Sequence, residues 1–171
     1  MLRRVPQPRL KVPWWRRGRL VFISYRRRDS LDVTGRIWDR LVARFGRCRV
    51  ILDFDSIPPG FDFRNYIENV MQQCAVVLAI IGPGWRIASD ADGCRYVDDP
   101  KDMVGFELGL ALRLGVRVIP VLVGGARMPT AEELPPSLRA LATLQGIAVG
   151  SERAFHADVD AVIAGILGRA N

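Results

Sequence analysis

Three consecutive arginines, Arg26, Arg27 and Arg28, follow the apolar run "LVFISY" at 20–25, and one carboxylate, Glu107, stands inside the glycine- and aliphatic-rich stretch "DMVGFELGLALRLG" at 102–115. A guanidinium fork matches phosphate or pyrophosphate oxygens two at a time, so the arginines suit an anionic ligand. They also suit a solvated loop whose side chains lie along the surface. Glu107 is harder to place. On a helical period its axial neighbours are Met103, Val104, Leu110 and Ala111, so no basic side chain stands at i±3 or i±4 to form the usual surface pair. A carboxylate near a helix start is favoured by the macrodipole, which is the plain alternative to a chemical role.

Other chemistries have little to draw on. Cys48, Cys94 and Cys74 are odd in number and widely spaced, which argues against a disulfide framework and fits a reducing cytoplasm. No C-x-x-C or H-x-x-x-H spacing is present to hold zinc, and none of the readings below calls for a metal. The single histidine, His156, lies close to Asp158 near the end of the chain and reads as helix-start chemistry rather than as a triad. Catalysis, if present, falls to carboxylates, arginines, hydroxyls and backbone groups.

These residues must be positioned by an alternating set of elements. Four continuous apolar runs, at 20–25, 49–54, 75–81 and 116–123, have the composition of strands buried on both faces of a parallel sheet, and 145–149 is a weaker fifth. Helical patterns lie between and after them: 30–46, with Ser30 as N-cap and Val33, Ile37, Leu41 and Phe45 on one stripe; then 62–74, 102–114, 134–144 and 158–169. The alternation predicts right-handed crossovers and an α/β, doubly wound, five-stranded parallel sheet with helices on both faces. Ligands of such sheets sit beyond the carboxyl ends of the strands, which directs attention to the loops 26–30, 53–60, 82–101 and 124–133.

Charge and motifs narrow the classes further. Of the 25 basic residues, seven lie in 1–19 together with no acid, so the remainder of the chain is neutral. The opening "MLRRVPQPRLKVPWWRRGR" reads as a basic, flexible arm outside a domain over 20–171; Trp14 and Trp15 beside arginines are its one hint of nucleic acid or an anionic surface. Outside the arm the sequence gives no sign of a nucleic-acid partner. The longest apolar run, "AVVLAII", is far short of the roughly 20 residues a membrane span needs, and the chain reads as soluble. "GPGW" at 82–85 lacks the third glycine of a dinucleotide fingerprint, and no P-loop exists. A phosphorelay receiver would need acids after its first strand for magnesium, where this chain has arginines.

"VFISYRRRDS", "VILDFDSIPPGFDF", "DMVGFELGLAL" and "VIPVLV", in this order and spacing, resemble the TIR (Toll/interleukin-1 receptor) domain family, particularly its bacterial members. The resemblance covers roughly 20–150. It implies a flavodoxin-like fold and makes "DFDSIPPG", with Asp53, Ser56, Ile57, Pro58, Pro59 and Gly60, the BB loop of TIR self-association. Enzymatic relatives cleave the nicotinamide–ribose bond of NAD+, giving nicotinamide and ADP-ribose or a cyclic isomer, with NAD+ as substrate and no cofactor. By resemblance Glu107 is the catalytic glutamate, binding ribose hydroxyls and stabilising the oxocarbenium ion left by nicotinamide. Arg26 and Arg27 would face the pyrophosphate or adenosine side. Phe54, Asp55 and Phe61 are candidates for ring stacking and ribose contacts. Met103 stands where the enzymatic members commonly carry an aromatic; a thioether packs against a ring less directionally.

The resemblance further implies a cytoplasmic protein, other TIR protomers as partners in a homo-oligomer or filament, activity that depends on assembly, and a role in bacterial anti-phage defence. Two other classes remain open from sequence: a non-enzymatic TIR–TIR scaffold using the same BB loop, and a nucleic-acid-linked activity resting on the arm.

Overall fold

The computed structural model describes residues 20–52, 62–89, 93–150 and 152–168, without the side chain of Phe63. The basic arm 1–19 and the BB-loop segment 53–61 lie outside these residues. Five strands form where the β-branched runs predict them: β1 (Leu20–Ser24), β2 (Val50–Leu52), β3 (Cys74–Ile81), β4 (Arg117–Val123) and β5 (Ile147–Val149). All pair in parallel in the order β2-β1-β3-β4-β5. Four helices connect or follow them: α1 (Arg27–Phe45), α2 (Phe63–Met71), α3 (Met103–Arg113) and α4 (Phe155–Ile166).

Alternate side chains of each strand face opposite layers, and the core divides accordingly. Phe22, Val77, Ala79 and Ile81 pack with Ile67 and Met71 of α2 and Leu108 and Leu110 of α3. Val21, Ile23, Val76, Leu78 and Val121 pack with Ile37 and Leu41 of α1 and Phe155, Val159 and Val162 of α4. Each fully buried aliphatic side chain contributes about 1.5–3 kcal/mol relative to exposure, so helices on both faces follow from strands that are apolar on both faces.

Two helix expectations need correction. Ser30 is not the N-cap of α1, which begins at Arg27 after Arg26; Ser30 lies inside, at φ −145° and ψ 22°, where the helix kinks. Its amide and hydroxyl both turn back to the Arg26 carbonyl, at 3.0 and 3.4 Å, the local competition that hydroxyl residues offer a helix backbone. The segment 134–144 is a 3-10 helix, Pro136–Thr143, not an α-helix; the Pro135-Pro136 pair supplies no backbone donors at its start. The last helix starts at Phe155, and Asp158 in its first turn accepts from the Gly150 amide at 2.8 Å. Among the described residues no helix is long and apolar enough to cross a membrane.

Candidate active site

The strand order reverses between β1 and β3, and a crevice opens beyond the carboxyl ends of strands at such a switch point. Here it is a cleft of about 420 Å³. It is lined by Tyr25, Arg26, Arg27, Arg28 and Asp29 after β1, by Gly84, Ala88 and Tyr96 after β3, and by Met103, Val104 and Glu107 of α3. Four residues singled out by sequence, Arg26, Arg27, Met103 and Glu107, therefore share one cavity. Phe54, Asp55 and Phe61, and the BB-loop residues Asp53, Ser56, Ile57, Pro58, Pro59 and Gly60, fall outside the described residues.

Glu107 lies one turn into α3 and is only 6% exposed. The Ser24 hydroxyl donates to its Oε2 at 2.7 Å, a short hydrogen bond from the last residue of β1. The helix that carries Glu107 is anchored at its start. Asp102 is the N-cap of α3 and accepts from the Gly105 amide at 2.8 Å, satisfying one of the donors that every helix start leaves over. The same carboxylate accepts both Nη atoms of Arg26, each at 2.7 Å.

Arg26 is thereby committed to the walls of the cleft. Its Nε donates to the Trp85 carbonyl at 3.0 Å, and its guanidinium stands 5.3 Å from the Trp85 ring centre and 5.9 Å from that of Tyr96. One buried side chain thus joins the end of β1, the loop after β3 and the head of α3. Asp29 reinforces the junction by accepting from the Gly82 and Gly84 amides at 3.0 and 2.7 Å. The glycines of "GPGW" are needed for this approach, since a Cβ on Gly82 would collide with the Asp29 carboxylate and one on Gly84 would come within 2.9 Å of it. A glycine turn that fails as a dinucleotide fingerprint serves as a seat for a carboxylate.

At the mouth, Arg28 Nη1 donates to the Tyr96 hydroxyl at 3.1 Å, across the cleft. Met103, also in the lining, is 37% exposed. A second clasp braces the outer loops: Glu133 accepts from Arg86 at 2.7 Å, from Arg127 at 2.6 Å and from the Thr130 amide at 2.9 Å, joining the loop after β3 to that after β4. Arg127 above all, with the Thr130 amide and then Arg86, holds the Glu133 carboxyl down at about 2. Among the described residues no three His, Cys, Asp or Glu side chains assemble as a metal-binding group.

Sequence reasoning missed Ser24, Asp29, Tyr96 and Asp102. Asp102 had a local signal, an aspartate immediately before a helical pattern. Ser24 had a fainter one, a lone hydroxyl ending an otherwise apolar strand.

The TIR domain family matches residues 21–163 of this chain. Among solved structures, the chain is similar to the TIR domains of the activated Roq1 resistosome directly recognizing the pathogen effector XopQ, at 12% identity and a TM-score of 0.60, covering 88% of this chain and 98% of that one. It is also similar to a metazoan TIR-STING receptor from C. gigas, at 20% identity and a TM-score of 0.51, over 88% of this chain and 41% of the receptor. The same receptor in complex with 2',3'-cGAMP gives 21% identity and a TM-score of 0.53, over 83% and 38% respectively. At these identities the likeness is one of fold.

Proposed function

Because the chain belongs to the TIR domain family, we propose that it is an NAD+ nucleosidase, cleaving the nicotinamide–ribose bond to give nicotinamide and ADP-ribose or a cyclic isomer. The observation that carries the proposal is the position of Glu107: a buried carboxylate in the switch-point cleft, whose lining also holds buried Arg26 and exposed Arg27 and Arg28. Nicotinamide leaves as a neutral base from a cationic precursor, so the reaction needs no strong general acid. The carbon it leaves develops positive charge, as in glycoside hydrolysis. Glu107 binds the ribose hydroxyls and offsets that charge where water is scarce.

Arg27 and Arg28 meet the pyrophosphate. Arg26, whose fork is taken up by Asp102, lends its charge and holds the walls. Met103 packs against the nicotinamide ring. Phe54, Asp55 and Phe61 belong to the substrate side in the same reading, and the BB loop to contacts between protomers of a homo-oligomer. Such assembly, a cytoplasmic location and a part in anti-phage defence rest on the family resemblance; one similar structure shows TIR domains within a resistosome.

The test is nicotinamide release from NAD+ by concentrated protein with a crowding agent, followed by chromatography beside Glu107→Ala. The expected loss in the variant is about 10²-fold or more. A wild type that releases nothing while self-associating favours the scaffold; equal release by both proteins removes Glu107 from the chemistry.

A further inference from the structure

Ser24 is 1% exposed and ends a strand whose other residues are all apolar. Its Cα is fixed in the middle of the sheet, paired with Ala79 of β3, while the residue before it pairs with Leu52 of β2. On a period of two it shares a face with Phe22, which packs against the α2 and α3 layer. A serine side chain has a single torsion to its hydroxyl, so a rigid backbone position makes a rigid donor. Its oxygen lies 2.7 Å from Glu107 Oε2, across 83 residues of sequence.

A buried carboxylate oxygen facing an alanine at this position would lose the Ser24 donor. The hydroxyl does more than satisfy the oxygen. Donation to the charged form favours ionisation, and one fixed oxygen limits rotation about the last bond of the glutamate. We propose that Ser24 is the positioning residue of this site, holding the Glu107 carboxylate ionised and oriented toward the cleft. The proposal rests on the reading of Glu107 as the group that stabilises the ribosyl cation.

The other titratable groups along the cleft are Tyr25, Arg26, Arg27, Arg28, Asp29 and Tyr96. At the head of α3, Asp102 is engaged by Arg26, and Arg64 of α2 lies over the Phe106 ring of α3 at 5.2 Å. Ser24→Ala and Ser24→Thr substitute none of these groups, and the return of the hydroxyl in Ser24→Thr isolates its contribution.

Two readouts on the full chain separate the claims. The first needs no turnover: the titration midpoint of Glu107, followed by its side-chain carboxyl carbon in 13C-glutamate-labelled protein and assigned with Glu107→Gln. Loss of a hydrogen bond to the charged form in Ser24→Ala raises the midpoint by about one pH unit or more, and Ser24→Thr returns it toward wild type. An unchanged midpoint in Ser24→Ala overturns the proposal. The second is nicotinamide release, where Ser24→Ala lowers kcat about tenfold or more, leaves KM for NAD+ within about twofold, and moves the acid limb of the rate profile upward. A wild type without turnover defeats the NAD+ reading, and the midpoint alone then decides whether Ser24 governs Glu107. Equal losses in Ser24→Ala and Ser24→Thr with the midpoint unmoved assign Ser24 to packing and overturn its positioning role.

Discussion

Arg26 and Asp102 place opposite charges where little water reaches, their side chains 8% and 7% exposed. Such a pair gives little net stability over an apolar replacement, but removing one partner leaves the other charge buried and uncompensated. Asp102→Asn should therefore cost about 3–5 kcal/mol, read as a lower urea midpoint at unchanged slope. The Arg95–Asp98 pair has the same contact distance, 2.7 Å, but side chains 38% and 39% exposed. Asp98→Asn should cost no more than about 1 kcal/mol. Comparable losses in the two variants would mean that the Arg26 junction is not desolvated. The contrast also explains why a run of three like residues divides its labour. Arg26, the residue before α1, is buried and bonded to the Trp85 carbonyl and Asp102, whereas Arg27 and Arg28 begin α1 and are exposed along the same cavity.

The loops around the cleft are held to one another by a few carboxylates, and the Glu133 clasp makes that dependence measurable. Its carboxyl sits at about 2, well below the usual 4.5, because the folded protein supplies Arg127, the Thr130 amide and Arg86. A carboxyl depressed by folding contributes stability that is fully present above the unfolded value and is lost as pH falls toward the folded one. Between pH 6 and pH 3 the wild type should therefore lose most of its urea-midpoint advantage over Glu133→Gln; a constant difference across that window would show that the clasp is absent in solution. Strands, crossovers and the cleft's location were legible because five β-branched runs alternate with helical periods. Glu107 and the arginines stood out by type and setting, but their assignment to a site came from the family resemblance. What eluded sequence was pairing at a distance: Ser24 with Glu107, Arg26 with Asp102 and Asp29 with Gly82 and Gly84 join residues 53 to 83 positions apart. No local period encodes such contacts. The 3-10 form of 136–143 and the kink at Ser30 escaped for the opposite reason, since they turn on backbone detail finer than an apolar pattern.

Across the whole molecule, the three cysteines divide between surface and core. Cys48 and Cys94 are exposed, whereas Cys74 opens β3 within the core shared by β1, α2 and α3. Its Sγ donates to the Val70 carbonyl at 3.4 Å, and burial pushes the thiol up to about 12. The reactive species is the thiolate, so at pH 8 Cys74 is both shielded and protonated. A thiol-exchange reagent should titrate two groups quickly in the native protein and a third only when the chain opens. Because β3 pairs with both β1 and β4, exposing Cys74 requires disrupting the middle of the sheet rather than fraying an edge. Its labelling rate should then rise as global stability falls, increasing in Asp102→Asn by the factor by which that variant's unfolding constant rises. Three equally fast thiols in native protein would mean that the α2 layer opens independently of the sheet.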